Sequence, residues 1–106
     1  MANAFKSVAV TLANSTAAEV YTAPGSTTAV IHAVYLSNKH SSAINVDVDI
    51  RISSTDYSIT QGAPIPAGST LTLDKPINLE TGEKLKVKSS HASGLLDVVL
   101  SVLQIT

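Results

Sequence analysis

The sequence predicts an all-β protein, an antiparallel β-sandwich of about eight short strands with jelly-roll or Ig-like topology. Short runs of alternating apolar and polar residues recur along the chain, and turn signals interrupt them about every 8–12 residues. No stretch of about ten residues carries the i, i+3, i+4 apolar stripe of an amphipathic helix. The 106 residues suffice for one domain, residues 1–106, with one thin core.

The clearest alternation lies in residues 43–52. Ile44, Val46, Val48, Ile50 and Ile52 occupy every second position, and Asn45, Asp47, Asp49 and Arg51 fill the gaps. Because side chains on a strand alternate between its faces, this segment has one apolar and one polar face. We expect the polar face to be exposed, so that Asp47→Ala is tolerated for folding whereas Val48→Asp, which places a charge in the core, is not.

Two shorter strands are predicted near the start of the chain. Residues 5–12 alternate in the same way, and a polar turn at 14–16 separates them from a short strand at 18–22. Pro24-Gly25 ends that strand, since proline cannot donate to a β-ladder and the pair favours a type II turn.

Residues 28–37 form the second strong strand, and it is apolar on both faces. One face carries Val30, His32, Val34 and Leu36, and the other carries Ile31, Ala33 and Tyr35. We therefore expect this strand to be covered on both sides. The polar loop 38–42 leads directly into the strand at 43–52, so the two should pair antiparallel.

The second half of the chain predicts shorter and less regular strands. Strands or extended segments are expected at 57–60, 63–67, 70–73, 76–79, 84–88 and 95–105. Gln61-Gly62 marks a bulge or bend, and Gly82 occupies a turn position that favours positive φ. The last strand is apolar on both faces, so it is either central or faces a partner subunit.

Composition limits the classes of function. The net charge is −1 and cysteine is absent, which argues against electrostatic binding of nucleic acid and excludes disulfides and thiolate metal sites. The first residues lack the pattern of a signal peptide, and no apolar run approaches the roughly 20 residues of a membrane span. With only four aromatic residues the core must be aliphatic and modest, and such small domains often gain stability by oligomerising.

Two carboxylates, Asp47 and Asp49, lie on one face of the strand at 43–52, about 7 Å apart. Paired carboxylates can bind Ca²⁺ or act in acid–base chemistry. Calcium sites use about six or more oxygens, usually from a loop. We therefore interpret the pair as a solvated strand face whose charge Arg51 partly balances.

Three histidines and one serine are the other residues that could form a metal or catalytic site. His32, His40 and His91 do not match zinc-ligand spacing, and only a symmetry axis that gathers copies of one histidine, with His40 the best placed, would build a metal site. Ser90 and His91 with the distant Asp97 offer a nucleophile and a base, but no Gly-x-Ser-x-Gly elbow is present. We predict no enzyme activity and no catalytic, cofactor-binding or metal site.

Lys84, Lys86 and Lys88 form a basic stripe on the strand at 84–88. The stripe could contact phosphates, but no aromatic residues interleave with it to stack bases. Lysines on an outer face or edge also prevent unwanted strand pairing, which is the interpretation we favour. A third interpretation is a contact with an acidic surface, such as Asp47 and Asp49, of a neighbouring copy.

Three segments carry a resemblance to a known class of protein. They are residues 63–87 (APIPAGSTLTLDKPINLETGEKLKV), the ending at 96–105 (LDVVLSVLQI) and residues 20–24 (VYTAP). Together they resemble small virion structural proteins of tailed bacteriophages, especially marine ones. The resemblance covers most of the chain and rests on turn-and-strand patterns rather than on catalytic signatures.

The resemblance implies a β-sandwich accessory protein of the virion, made in the host cytoplasm. Such proteins decorate or cement the capsid shell, or sit in the neck and tail. It implies the major capsid protein or other virion proteins as partners, and a symmetric homo-oligomer with a trimer favoured. A carbohydrate-binding host-attachment module is a third possibility, although sugar sites use exposed aromatics and few are available here.

Overall fold

The computed structural model describes residues 3–12, 17–90 and 96–106. Within these ranges the chain forms nine β-strands and no helix, so none of the described residues belongs to a helix that could cross a membrane. The strands are β1 (Asn3–Leu12), β2 (Ala18–Thr22), β3 (Thr28–Asn38), β4 (Ile44–Ile52), β5 (Thr55–Ile65), β6 (Thr70–Leu73), β7 (Ile77–Leu79), β8 (Lys84–Ser89) and β9 (Leu96–Ile105). The turn predicted at 14–16 lies outside the described residues.

The strands form two antiparallel sheets, which confirms the predicted sandwich. Sheet A has the order β1-β9-β3-β6, with β7 also paired to β3, and sheet B has the order β2-β8-β4-β5. The pairings are nested: β4 with β5 is innermost, then β3 with β6 and β7, then β2 with β8, and β1 with β9 is outermost. Nested antiparallel pairing split between two sheets is the topology of a jelly roll. The predicted antiparallel pairing of the strands at 28–37 and 43–52 is wrong, because the connection after β3 carries the chain from sheet A to sheet B, where β4 pairs with β5 and β8.

The core lies between the inner faces of the two sheets and is aliphatic. The largest fully buried side chains are Ile31, Leu36, Ile65, Leu79, Leu85, Leu96 and Leu100. In β4 the alternation divides the faces as predicted, since Val46 and Val48 are buried and Asn45 is exposed. Asp47 and Asp49 are half-buried rather than open, because β5 and β8 flank β4 on either side.

A bulge in β3 changes the predicted face assignment of this strand. Ile31 pairs with Val102 of β9 and Ala33 pairs with the adjacent Ser101, so His32 is an extra residue without a partner position on β9. An extra residue shifts the alternation by one. Val34 therefore lies on the inner face with Ile31, and the predicted grouping of Val30 with Val34 is wrong.

Residues 55–65 form one bulged edge strand, β5, where a short strand and a separate extended segment were predicted. Opposite Asp47 of β4, β5 carries two residues, Gln61 and Gly62, and Gly62 has a φ of 65°. The predicted bulge is thus present, and glycine is suited to it because left-handed backbone is strained for other residues. The Gly62 N–H donates a hydrogen bond to Asp47 Oδ1 at 2.7 Å, so Asp47 supports the bulge.

Asn38 ties one end of the sandwich together. Its side chain is buried, and its Nδ2 donates to the carbonyls of Ser42, Ile65 and Pro66 at 2.9, 2.9 and 3.2 Å. Its Oδ1 accepts from the His40 N–H at 2.8 Å. A buried amide with all these partners fixes the loop after β3 against the end of β5.

Val48→Asp tests the face assignment of β4. Val48 is fully buried, and a carboxylate there has no cation partner in the aliphatic core, so we expect a loss of more than about 3 kcal/mol of unfolding free energy. Asp47→Ala removes one hydrogen bond to the bulge and should cost about 1–2 kcal/mol while the domain still folds.

Urea denaturation followed by circular dichroism measures both changes. Asn45→Asp is the matched control, because it introduces the same side chain on the exposed face three positions away from Val48 along β4. Equal destabilisation by Asn45→Asp and Val48→Asp would show that the two faces of β4 are assigned incorrectly.

Candidate interaction surface

The outer face of sheet A carries an exposed apolar patch. Its members, called the outer patch below, are Phe5, Val30, Tyr35, Val99 and Leu103. Phe5 is 77 % exposed, Tyr35 41 % and Val99 39 %, while Val30 and Leu103 are half-buried. Exposed apolar side chains gathered on one face of a small domain make that face a candidate for contact with another molecule.

Strand register brings the outer patch together from β1, β9 and β3. Phe5, Leu103 and Val30 are aligned across the three strands as cross-strand partners. Ala9, Val99 and Tyr35 form a second aligned row. Because directly opposed residues of antiparallel strands share a face, both rows project away from the core.

The bulge in β3 adds a histidine to the outer patch. His32, the extra residue, is exposed and its ring lies 6.0 Å from the ring of Phe5, at an interplanar angle of 30°. The contact gives Phe5 a neighbour within the chain but leaves most of its ring open to solvent. His32 therefore lies on the same exposed face as the outer patch.

One end of the outer face is polar and centres on Asp97. Its Oδ1 accepts a hydrogen bond from the Thr11 hydroxyl at 2.6 Å and lies 3.1 Å from Lys39 Nζ. The hydrogen bond from Thr11, followed by the interaction with Lys39, holds the pKa of Asp97 below its ordinary value of 3.8. The carboxylate links β1, β9 and the loop after β3, so its role is to anchor this end of the sheet.

The outer face of sheet B is charged and internally balanced. Cross-strand pairing places four carboxylates among four cations on β2, β4, β5 and β8. The carboxylates are those of Glu19, Asp47, Asp49 and Asp56, and the cations are Lys84, Lys86, Lys88 and Arg51. Four negative and four positive charges cancel, so this face carries no net field toward a charged partner.

The ion pairs show which groups the lysine stripe of β8 contacts. Lys86 Nζ lies 2.9 Å from Asp56 and Lys84 Nζ lies 3.7 Å from Glu19, within the same chain. Arg51 also approaches Asp56, at 3.6 Å. The acidic neighbours of the stripe are thus intramolecular, which supports the interpretation of a solvated outer face over one directed at phosphates.

The paired aspartates do not form a built cation site. Asp47 already accepts a hydrogen bond from Gly62, and its strand neighbour on β8 is Lys88. Asp49 lies opposite Lys86, and its Oδ1 is buried without a hydrogen-bond partner in the described part of the chain. No group of three or more potential metal ligands occurs within residues 3–12, 17–90 and 96–106.

The histidine and serine groupings that the sequence did not favour as sites lie only partly within the described ranges. His32 projects from β3 and His40 lies in the loop beyond the far end of that strand, while His91 lies outside the described residues. The Ser90 hydroxyl accepts the Asn45 N–H at 2.9 Å, and Asp97 is engaged by Thr11 and Lys39.

A shallow cavity of about 390 Å³ opens between the edge strands β5 and β6. It is lined by Ile59, Thr72, Leu73, Asp74, Lys75, Pro76 and Ile77. The lining is mainly aliphatic, and the only charged residues in it are Asp74 and Lys75 of the β6–β7 connection. No converging set of polar groups marks it as a site for a specific small molecule.

Sequence reasoning missed Phe5 as a surface residue. The alternation of residues 5–12 places Phe5 with Ser7, Ala9 and Thr11, on the face opposite Val8, Val10 and Leu12, but a lone phenylalanine is usually interior. The signal that identifies it is the register of β1 against β9, which places it opposite Leu103 on the outer face. That register agrees with the local alternation and overrides the usual preference of phenylalanine for the interior.

Comparison with protein-family models, with curated proteins and with solved structures found no match for this chain.

The lowered pKa of Asp97 predicts a contribution to acid stability. Because the folded state binds this proton more weakly than the unfolded chain, the contribution is present above about pH 4 and is lost as the pH falls through the folded-state pKa. We expect Asp97→Asn to reduce the fall in Tm between about pH 5 and pH 2.

Thermal unfolding by circular dichroism across this range provides the measurement. Asp74→Asn, at an exposed aspartate of the β6–β7 connection, is the matched control and should retain the acid dependence of the unaltered protein. If Asp97→Asn and Asp74→Asn give the same pH profile, Asp97 does not contribute in this way.

Proposed function

We propose that this protein is a non-enzymatic structural component of a tailed-bacteriophage virion. Its role in this proposal is capsid decoration or cementing, in which a symmetric oligomer binds the shell formed by the major capsid protein. The observation that carries the proposal is the outer patch, an apolar surface on an 11.0 kDa domain whose opposite face is charged and self-balanced.

The two outer faces suit different environments. Sheet A presents the aliphatic and aromatic side chains of the outer patch, which gain free energy when another protein covers them. Sheet B presents intramolecular ion pairs, whose charges remain favourable in water and would be costly to desolvate. In the proposed arrangement sheet A therefore faces the shell and sheet B faces the solvent.

The architecture and the sequence resemblance support the same role. Jelly rolls occur repeatedly in viral capsid and lectin domains, although a fold alone does not define a function. The segments at 63–87 and 96–105, which carry the resemblance to virion proteins, include β6, β7, most of β8 and β9, and so contribute to one central strand of each sheet. The outer patch adds the independent argument from surface chemistry.

A neck or tail component is the alternative within the same class. Both roles use an apolar docking face, but they differ in the number of copies in each particle. Quantitative mass spectrometry of purified virions distinguishes them. A copy number close to that of the major capsid protein supports decoration, and about a dozen or fewer copies would indicate a neck or tail ring instead. Absence from the particle would contradict both.

A carbohydrate-binding attachment module is the candidate from another class. Phe5 and Tyr35 are exposed on the same sheet, but register places them four residues apart along the strands, about 13 Å, and two strands apart. Tyr57, the other exposed aromatic among the described residues, lies on β5 of sheet B. These rings do not form one stacking platform, and binding on a glycan array would be required to revive this alternative.

Tyr35→Lys tests the outer patch directly. Shells assembled from the major capsid protein alone are mixed with this protein, and binding is measured by co-sedimentation. A lysine in the middle of an apolar contact must lose its hydration shell, so we expect affinity to fall at least about tenfold. Tyr57→Lys is the matched control, because Tyr57 is 53 % exposed but lies on sheet B, and it should bind like the unaltered protein.

Both variants alter exposed side chains, so circular dichroism and Tm should match those of the unaltered protein. Unchanged binding by Tyr35→Lys, or a loss confined to Tyr57→Lys, would show that the outer patch is not the shell contact.

A further inference from the structure

Strand β1 is the only long, regular edge among the described strands. It pairs with β9 over ten residues without a register shift and contains no proline, and its other edge has no strand partner in the described residues. The remaining edges are interrupted. Pro76 lies between β6 and β7, a register shift interrupts the five-residue β2, and β5 carries the bulge at Gly62 followed by Pro64. Proteins avoid leaving such an edge open unless it is used.

We propose that two copies of this chain pair through β1 in antiparallel orientation, with Ser7 on the two-fold axis. The pairing joins the two copies of sheet A into one continuous sheet. The proposal concerns self-association only and does not depend on the proposed function.

Geometry restricts the register of such a pair. In an antiparallel ladder directly opposed residues share a face, so a two-fold axis must pass through a residue that faces its own copy. Centring the axis on Lys6 would oppose two ammonium groups, which is unfavourable. Centring it on Val8 would oppose Phe5 to Thr11 of the second copy, a mismatch of apolar and polar groups.

The register centred on Ser7 matches side chains by size and polarity. On the outer face Phe5 lies opposite Ala9 of the second copy, so a large ring meets a small side chain. Asn3 lies opposite Thr11 of the second copy, and Ser7 faces itself, so polar groups meet polar groups. All five side chains of this face, at 3, 5, 7, 9 and 11, are exposed in the single chain.

Charge also suits this register. Thr11 donates to Asp97, and the amide of Asn3 from the second copy would provide a further donor beside that carboxylate. On the inner side Lys6 lies opposite Val8 of the second copy, where its aliphatic stem can cover the half-buried valine while its ammonium remains in water. No like charges are opposed in this register.

The pairing also accounts for the exposure of Phe5. In the dimer Phe5 continues the row Ala9, Val99, Tyr35 of the second copy, and the two outer patches become one apolar band. A two-fold edge contact yields a dimer, whereas the sequence resemblance favoured a trimer. The measured mass therefore distinguishes the two assemblies.

Cysteine cross-linking tests the register, and the chain offers a clean background because it contains no cysteine. In Ser7→Cys the two copies of residue 7 face each other across the axis. Their Cα atoms then lie within the range of about 4.4–6.8 Å that is usual for disulfides. We expect oxidation to yield a species of twice the 11.0 kDa chain mass on a non-reducing gel. Thr72→Cys, exposed on the opposite edge of the same sheet, is the matched control and should remain mainly single.

A charge exchange tests the same axis without a covalent bond. Ser7→Glu and Ser7→Lys each oppose two like charges, and we expect each to weaken the dimer about tenfold by sedimentation. Mixing the two variants should restore association, because the axis then pairs opposite charges. An unchanged Tm for each variant at a concentration where it is monomeric shows that the fold is intact.

Several results would overturn the proposal. The first is a single-chain mass for the unaltered protein at about 100 µM, where even weak symmetric pairing is populated, and the second is a three-chain mass. The others are equal cross-linking of Ser7→Cys and Thr72→Cys, and no recovery of association when the two charge variants are mixed. Shell binding by Tyr35→Lys reports on a different strand, so failure of one proposal is distinguishable from failure of the other.

Discussion

The pairing of β3 with β9 is the interaction on which the rest of the structure depends. These two strands occupy the centre of sheet A, and their register determines what each face of the sheet presents. Their inner faces supply Ile31, Leu36, Leu100 and Val102 to the core. Their outer faces supply most of the outer patch, so a single register sets both the stability of the domain and its interaction surface.

The single extra residue in β3 makes this double role possible. Without the bulge at His32, the alternation that buries Ile31 would expose Val34 and Leu36 and bury Tyr35. With it, Val34 and Leu36 are fully buried, Ala33 and Tyr35 face outward, and His32 rests against Phe5. A bulge that redirects side chains in this way is a common device near functional surfaces.

The outer faces of the two sheets differ in chemistry, although β4 and β5 of sheet B also expose the apolar side chains of Ile52, Tyr57 and Ile59. The charges on the outer face of sheet B sum to zero and several form ion pairs within the chain, whereas the described outer face of sheet A leaves apolar groups exposed. A protein that contacts a large surface with one face and water with the other requires such a difference between its faces. It also explains why the lysine stripe, which is conspicuous in the sequence, is not the most informative surface of the structure.

Local patterns in the sequence predicted much of the fold but little of the surface. The alternation at 43–52 and the turn signals were sufficient for the sandwich and for the inner face of β4, because burial on one face imposes a period of two. The turn at Gly82 was likewise confirmed, with a φ of 85°. Between Pro24 and Ser26, however, the positive φ of the turn falls on Ser26 rather than on the predicted glycine.

Long-range pairing accounts for what the patterns could not predict. The role of Asn38 depends on carbonyls some 27 residues away along the chain, and a polar residue at the end of a strand resembles any loop residue. The bulge at His32 likewise depends on the register between two strands distant in sequence. Apolar residues on both faces of 28–37 and 95–105 did indicate that apolar side chains lie on both sides of this sheet, but not which of them are exposed.

The central claim is that the outer face of sheet A docks this domain onto a viral particle. The most direct measurement of this proposal is a cryo-EM map of virions purified from the source of this chain, at a resolution that separates the two sheets. The account predicts jelly-roll density on the capsid exterior, with sheet A against the shell and sheet B toward solvent. Density with sheet B against the shell, or particles that lack the domain altogether, would contradict it.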